Sequence, residues 1–230
     1  MKVAILCGGL GERLRPLTET VPKVMLEVNG KPVLQHVIQT IKSVGFTEII
    51  LLCGYRSEVI KNYFGDGKKF GIKIIYSVET EKLGTGGAVK NAENFLDDDF
   101  VLVNGDNLTD FPLKNLVDAF RKHKQNMMTL VRPNNPYGVA KIKPLDGNVC
   151  QIEDFVEKPK MTEWINAGFL VLQKNTLDMF PKKGEAEREV YPILQKQGKL
   201  LGFLIGNEYF WKGVDTSKDL TEANNLLNLL

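Results

Sequence analysis

Three glycines and an arginine crowd the start of this chain, Gly8, Gly9, Gly11 and Arg13, within Leu6-Cys7-Gly8-Gly9-Leu10-Gly11-Glu12-Arg13. Glycine takes positive φ and carries no Cβ, so such a loop lets several backbone N–H groups converge on one anion. Arg13 adds a planar cation beside those donors. Further along, Asp106 follows the apolar run Phe100–Val103 and the pair Asn104-Gly105. A carboxylate at the end of a buried strand, opposite a phosphate loop, suits Mg2+, which takes one or two carboxylates together with phosphate oxygens. Each feature also has a plainer reading. The glycines can form an unliganded turn between a strand and a helix, and Asp106 can be a turn residue or a helix N-cap.

Two familiar phosphate loops do not fit. Reading G-x-G-x-x-G from Gly9 gives Gly9, Gly11 and then Leu14, so the third glycine is missing, and no Gly-Lys-Ser/Thr follows. A second glycine-rich turn, Leu83-Gly84-Thr85-Gly86-Gly87-Ala88, enters a helical stretch. Gly84 and Gly86 there permit either close approach of a flat base or a tight helix start against a sheet. Phe155-Val156-Glu157-Lys158-Pro159 sets a carboxylate and an ammonium at a strand end. On a regular strand their side chains point to opposite sides; the ordinary explanation is surface charge before a proline.

These groups need a scaffold. The runs Val3–Leu6, Glu48–Cys53, Ile72–Tyr76 and Phe100–Val103 read as buried strands alternating with helices over roughly the first 130 residues. One helix carries Val33, Leu34, Val37, Ile38, Ile41 and Val44 on one face and closes at Gly45; others lie at Ser57–Phe64 and from Thr85 to before Asp97. The run Asp97-Asp98-Asp99 reads as a solvated loop. Later strands, Met127–Val131, Val139–Lys143, Val149–Phe155 and Ala167–Leu172, are broken by prolines and glycines, which predicts a mixed sheet. Helices are expected at Glu185–Gln197 and Lys218–Leu230, around a strand Leu200–Ile205. The fold class is α/β: a Rossmann-like three-layer arrangement with a mixed, mainly parallel central sheet. One domain spans 1–230, with a first half at about 1–130 and a second half at 131–230.

At 230 residues, 43% apolar and 25% charged, the chain has the composition of an ordinary globular protein. A net charge of +2, without basic blocks, argues against a nucleic-acid or membrane partner. Apolar runs are too short to span a bilayer and the first residues read as a strand, so a cytoplasmic location is expected. Cys7, Cys53 and Cys150 lack metal spacing and read as free thiols, the first two buried. His36 and His123 lie isolated on helical segments and suggest no metal or catalytic role.

The first motif, continued by Leu14-Arg15-Pro16-Leu17-Thr18 and Val21-Pro22-Lys23, resembles the G-G-x-G-T/S-R-L-x-P-L-T signature of the sugar-1-phosphate nucleotidyltransferases. Glu12 departs from it, standing where that family has Thr or Ser. The resemblance covers nearly the whole chain and implies a glycosyltransferase-A-like nucleotidyltransferase fold, with 1–130 as the nucleotide-binding half and 131–230 as the sugar-phosphate-binding half. It implies that Leu6, Gly8, Gly9, Gly11 and Arg13 hold nucleotide phosphates, that Lys23 stabilises the α-phosphoryl group and that Asp106 binds the catalytic Mg2+. Gly84, Thr85 and Gly86 resemble its base-holding L-G-T-A/G-x-A. Glu157 and Lys158 resemble its E-K-P, which contacts a sugar hydroxyl and the sugar phosphate. Asn166, in Asn166-Ala167-Gly168, and Gly138, in Tyr137-Gly138-Val139, resemble its sugar-reading elements. Trp211-Lys212-Gly213-Val214-Asp215-Thr216 differs from the frequent W-x-D-x-G-T, because Gly213 takes the aspartate slot. Trp211–Thr216 is more similar to the W-x-x-x-D-T of glucose-1-phosphate cytidylyltransferases and some archaeal-type relatives, which implies that Asp215, two residues later, serves as the second metal ligand. Asp219 reads as a surface residue.

The resemblance implies transfer of a nucleoside monophosphate from an NTP to a sugar 1-phosphate, with release of pyrophosphate. The base-holding element resembles guanylyltransferases for mannose or heptose 1-phosphate, whereas Trp211–Thr216 and Cys53-Gly54-Tyr55 lean toward cytidylyltransferases. CTP- or UTP/dTTP-dependent enzymes, and a non-catalytic sensing module of the same fold, are the alternatives. The expected partners are the NTP and the sugar 1-phosphate, with a homo-oligomer left open and no room for an appended β-helix.

Overall fold

The computed structural model describes residues 1–228. The chain opens with β1 (Lys2–Leu6), the glycine loop and a small antiparallel pair, β2 (Glu27–Val28) and β3 (Lys31–Pro32). Helix α1 (Val33–Ser43) leads to β4 (Glu48–Cys53), and α2 (Ser57–Phe64) to β5 (Lys73–Val78). Next come α3 (Gly84–Asn91), β6 (Phe100–Asn104), the short β7 (Asn107–Thr109) and α4 (Leu113–His123). Strand β8 (Asn126–Val131) precedes a ribbon of β9 (Val139–Pro144) and β10 (Cys150–Val156), then β11 (Ile165–Leu172). The remainder is α5 (Ala186–Glu189), α6 (Tyr191–Lys196), β12 (Leu200–Leu204), β13 (Trp211–Gly213) and α7 (Ser217–Leu227).

Seven strands form one sheet in the order β12-β8-β11-β6-β1-β4-β5. Only β11 runs against its neighbours, so the sheet is mixed and mainly parallel, as the sequence predicts. Alternate residues of each strand face opposite sides. Val3 and Ile5 pack with the apolar faces of α1, α2 and α4, while Ala4, Ile50 and Leu102 pack with α3 and α6. Strands covered on both faces must be apolar throughout, which is why these segments read as continuous runs. Helix α1 alone buries Val33, Leu34, Val37, Ile38 and Ile41, each contributing about 1.5–3 kcal/mol.

Several predicted elements shift. The strand expected at Ile72–Tyr76 is Lys73–Val78, and the helix expected to reach Asp97 ends at Asn91 with a 3-10 turn at Glu93–Phe95. The single helix expected at Glu185–Gln197 divides at Val190 into α5 and α6, with a proline in the first turn of α6. The terminal helix is Ser217–Leu227; its expected last two residues lie outside the described residues. In the acidic run Asp97 and Asp98 are exposed and Asp99 half-buried, and the run is engaged: Asp97 pairs with Lys2 at 2.9 Å, and Asp99 accepts the Lys174 N–H. In the second half, β9 and β10 project with every strand residue exposed. The two halves of the sequence share the sheet, since β11 inserts beside β6.

Candidate active site

Strand β1 delivers the glycine loop. Its ladder extends one residue, with Cys7 N–H donating to the Leu52 carbonyl at 2.8 Å, before the chain turns away. Gly11 has φ 62°, and a Cβ there would lie 2.9 Å from Thr18 Cγ2 and 3.0 Å from Lys23 Cβ. Only glycine fits that turn. Thr18 Oγ1 then donates to the Gly11 carbonyl at 2.8 Å, folding the loop back on itself. The following 3-10 turn, Glu12–Leu14, buries Leu14 and leaves Arg13 facing outward.

Lys23 begins another 3-10 turn, pinned by buried Val24 and Met25. Its ammonium contacts the carboxylates of both Asp106 and Asp215, the latter at 2.9 Å. Arg13 Nη2 reaches the same Asp215 oxygen at 2.9 Å. Burial alone would lower the Lys23 pKa, but Asp106 and Asp215 outweigh it and raise it above the ordinary lysine value. Four charges predicted separately from the sequence therefore form one contact cluster.

Asp106 arrives at the carboxyl end of β6. Gly105 N–H donates to the Leu6 carbonyl at 3.0 Å, and a Cβ on Gly105 would sit 2.7 Å from that oxygen. Asp215 is brought to it by a pairing the sequence did not reveal. Strand β13 lies antiparallel to β7, with Trp211 opposite Thr109 and Gly213 opposite Asn107. Val214 N–H then donates to the Asp106 carbonyl at 3.0 Å. Asp219 is not a free surface residue. It closes a capping box with Thr216 at the start of α7 and pairs with Lys212 at 2.6 Å, fixing the turn that holds Asp215. Lys212 and Thr216 outweigh the effect of its burial and lower its pKa.

Two adjoining clefts meet at Lys23. The first, about 260 Å3, is lined by Leu6, Gly8, Gly9, Asp106, Gly84 and Thr85. The second, about 230 Å3, is lined by Gly11, Glu12, Arg13 and Asp215, with Lys23 and Lys82 shared between the two. Gly86 is buried away from both, and a Cβ there would meet Gly184 O at 3.0 Å and Pro181 at 3.1 Å. Its N–H and that of Gly87 donate to the Gly184 carbonyl. Gly86 therefore admits neighbouring backbone rather than a base, and the tight-helix-start reading describes it.

Three cleft residues were missed: Glu79, Lys82 and Glu185. Glu79 follows directly on β5, so the rule that ligands lie beyond strand carboxyl ends could have found it. Glu185 comes from a distant segment and accepts from the backbone and hydroxyl of Thr85, both at 3.0 Å; no local signal marks it. Cys7 also lines the first cleft. Burial, then Cys53 and Asp106, push its thiol pKa up, which keeps it protonated and inert as a nucleophile.

On the other side, Asn166 Oδ1 accepts the Gly168 N–H at 2.9 Å. The Ala167 carbonyl accepts from Asn107 Nδ2 at 3.0 Å and Trp211 Nε1 at 2.8 Å, which seats this segment beside β7 and β13. Gly138 lies against Phe155 and Glu157, where a Cβ would clash with the Phe155 ring. The opposite-facing arrangement of Glu157 and Lys158 fails, because the strand ends at Val156 and Lys158 has φ 47°. The two side chains instead meet at 3.4 Å. Among the described residues, Lys158 makes no ion pair with the Lys23 cluster.

Asp106 and Asp215 both touch one ammonium, so they flank a single cation position. Their all-oxygen donor set suits Mg2+ completed by phosphate and water. Among the described residues no three potential ligands of the His, Cys, Asp or Glu type cluster together, and no helix is long and apolar enough to cross a membrane.

Known proteins resemble this chain in sequence and in fold. The family described as "Nucleotidyl transferase" matches residues 2–228. The mannose-1-phosphate guanyltransferase of Saccharomyces cerevisiae is 38% identical over 239 residues, which cover 98% of this chain and 64% of the yeast protein. The chain thus spans just under two thirds of the length of such curated relatives. The crystal structure of HddC from Yersinia pseudotuberculosis complexed with GMP-PN is 26% identical, with a TM-score of 0.76 and coverage of 98% of this chain and 99% of that one. A UDP-glucose pyrophosphorylase complexed with UDP-glucose, 20% identical with a TM-score of 0.72, covers 100% of this chain and 99% of its own and shares the fold. The chain belongs to the nucleotidyl transferase family.

Proposed function

We propose that this chain transfers a nucleoside monophosphate from an NTP to a sugar 1-phosphate, with GTP and a mannose- or heptose-type 1-phosphate as substrates. The mutual contact of Arg13, Lys23, Asp106 and Asp215 beside a glycine loop carries this reading. The guanyltransferase relatives and the GMP-PN complex of HddC support the choice of base.

A phosphate oxygen of the sugar 1-phosphate attacks the α-phosphorus and forms a new P–O bond. The bond from the α-phosphorus to the bridging oxygen breaks, and pyrophosphate leaves with that electron pair. The attacking oxygen is already anionic, so no general base is required. The protein's task is to align two polyanions that repel each other and to offset the charge on the leaving group. Backbone N–H groups of the Gly8–Gly11 loop and Arg13 hold the β and γ phosphates, and Lys23 faces the α-phosphoryl oxygens. Lys158 receives the phosphate of the sugar 1-phosphate, while Glu157, Asn166 and Gly138 face its sugar. Asp106 and Asp215 would hold Mg2+, which supplies charge neutralisation and alignment of the phosphates when bound. A cytoplasmic setting is part of the proposal: Cys7, Cys53 and Cys150 are all free thiols.

The test is pyrophosphate release from each common NTP against mannose, glucose and heptose 1-phosphates with Mg2+. Release that requires both GTP and a sugar 1-phosphate supports the proposal. No release with any pair overturns it.

A further inference from the structure

We infer that Arg132, stacked on Trp164, is a further specificity residue on the sugar side, its guanidinium donating to a hydroxyl oxygen of the acceptor sugar. This deepens the proposed function and rests on it for the nature of the ligand.

The sheet places this pair at the working edge of the molecule. Arg132 follows β8 and Trp164 precedes β11, and those strands pair with Val131 opposite Ile165 and Leu130 opposite Asn166. Arg132 and Trp164 therefore stand one step beyond that ladder, on the face that Asn166 shares by alternation. Because β11 runs against both β8 and β6, the latter two point the same way. The carboxyl end of β8 lies at the same edge of the sheet as that of β6, which carries Asp106. The residues after Arg132 are tied to the Glu157-Lys158 turn: the Pro133 carbonyl accepts the Met161 N–H at 2.9 Å, and Asn135 N–H donates to the Pro159 carbonyl at 2.8 Å. Arg132 thus stands between the two segments proposed to face the sugar.

Its chemistry there is unanswered by the protein. The guanidinium carbon lies over the Trp164 ring, 4.6 Å from its centroid. That attraction to the ring quadrupole uses none of the N–H donors. Among the described residues the guanidinium forms no hydrogen bond and no ion pair. Its Nε is shielded from solvent as well, the one buried side-chain nitrogen or oxygen so left among the described residues. Since nearly all buried polar atoms in folded proteins find a partner, an exception requires a reason. Packing does not supply one, because a methionine would cover the indole without stranding a donor. The side chain as a whole is only half-buried and Trp164 is 39% exposed, so the pair remains within reach of a ligand.

Asn166 is in a similar position. It spends Oδ1 on the Gly168 N–H, and among the described residues its amide nitrogen donates to nothing. A guanidinium and an amide nitrogen can only donate. Two such groups on one face call for a ligand with neighbouring oxygen acceptors. A sugar ring carries hydroxyl oxygens on successive carbons and can answer both. A site built this way discriminates against an analogue that lacks the hydroxyl, because its donor is then left unpaired.

The experiment measures binding of mannose 1-phosphate and its monodeoxy analogues, each lacking one hydroxyl, by calorimetry in the presence of a non-hydrolysable GTP analogue. Wild type, Arg132→Met and Arg132→Lys are compared, with pyrophosphate release from GTP in parallel. In the wild type at least one analogue should bind about tenfold more weakly than the parent, as expected for a hydrogen bond to a charged group. In Arg132→Met that ratio should fall toward one and KM for the parent should rise about tenfold, with kcat and GTP binding unchanged. Arg132→Lys keeps the charge without the planar fork and should not restore the ratio; full restoration would assign the effect to charge alone and overturn the hydrogen bond. A purely structural Arg132 would weaken parent and analogues alike and leave every ratio unchanged, which overturns the inference. Wild-type indifference to every hydroxyl overturns it without any variant, so a misfolded variant does not rescue it. An Arg132-dependent ratio without pyrophosphate release sinks the transfer reaction but keeps Arg132; release with ratios untouched by Arg132→Met does the reverse. No binding of the sugar 1-phosphate overturns both.

Discussion

On the proposed nucleotide side, the glycine loop and Asp106 cap strands β1 and β6, whose central residues are wholly buried. On the proposed sugar side, Glu157 and Lys158 hang from a ribbon in which no strand residue of β9 or β10 is buried. The first region fixes its charges through the close-packed core, and they contact one another directly. The second holds Gly138, Phe155 and Glu157 together by local contact alone. Reaction chemistry needs groups held to a fraction of an ångström, whereas recognition of a sugar tolerates an adjustable arm. The division of rigidity thus matches the division of labour proposed for the two sides.

Four substitutions would break or sharpen that contrast. Asp106→Asn should lower kcat/KM about 10²–10³-fold with the fold intact, since it removes charge from the Lys23 cluster; steady-state pyrophosphate release reads this, and near-normal turnover would contradict the site. Ile50→Ala, at a fully buried position of β4, should cost about 2–5 kcal/mol in urea unfolding. Ile152→Ala, 61% exposed on the ribbon, should stay within about 0.5 kcal/mol; equal costs would erase the comparison. Lys158→Ala should raise KM for the sugar 1-phosphate about tenfold and leave GTP binding unchanged, because one exposed charged contact is lost.

A modest effect falls on the turn that carries Asp215. Asp219→Ala should destabilise the protein by about 1 kcal/mol at pH 7 through loss of the capping box. The folded-state pKa of Asp219 is lowered, so its contribution is present above the ordinary aspartate value of about 3.9 and disappears as pH falls through the lower folded value. Wild type and variant should therefore converge in stability below about pH 4, and a constant difference down to pH 2 would show that the carboxylate charge plays no part.

Much of this was legible because burial leaves a plain trace in sequence. Glu48–Cys53 and Ser57–Phe64 match β4 and α2, since a strand covered on both faces and a helix with one buried stripe have distinct periodicities. Lys23 and Asp106 were likewise recognisable from local motifs. What stayed hidden was non-local or conformational. The β7–β13 pairing joins two three-residue segments a hundred positions apart, too short to show any period. Glu185 reaches Thr85 across the same kind of distance. Lys158 escaped because one left-handed residue turns its side chain back toward Glu157, and Gly86 because what presses on it is backbone from Gly184.

The β7–β13 pairing also sets a timetable. Arg13 and Lys23 are synthesised well before one of their two counter-charges, Asp215, which is docked where Trp211–Gly213 pairs with Asn107–Thr109. A nascent chain, or a proteolytic fragment cut ahead of Trp211, carries the cationic half of the centre without its full complement of carboxylates. Competence thus waits on the β13 segment, and a molecule lacking it does not assemble the complete centre.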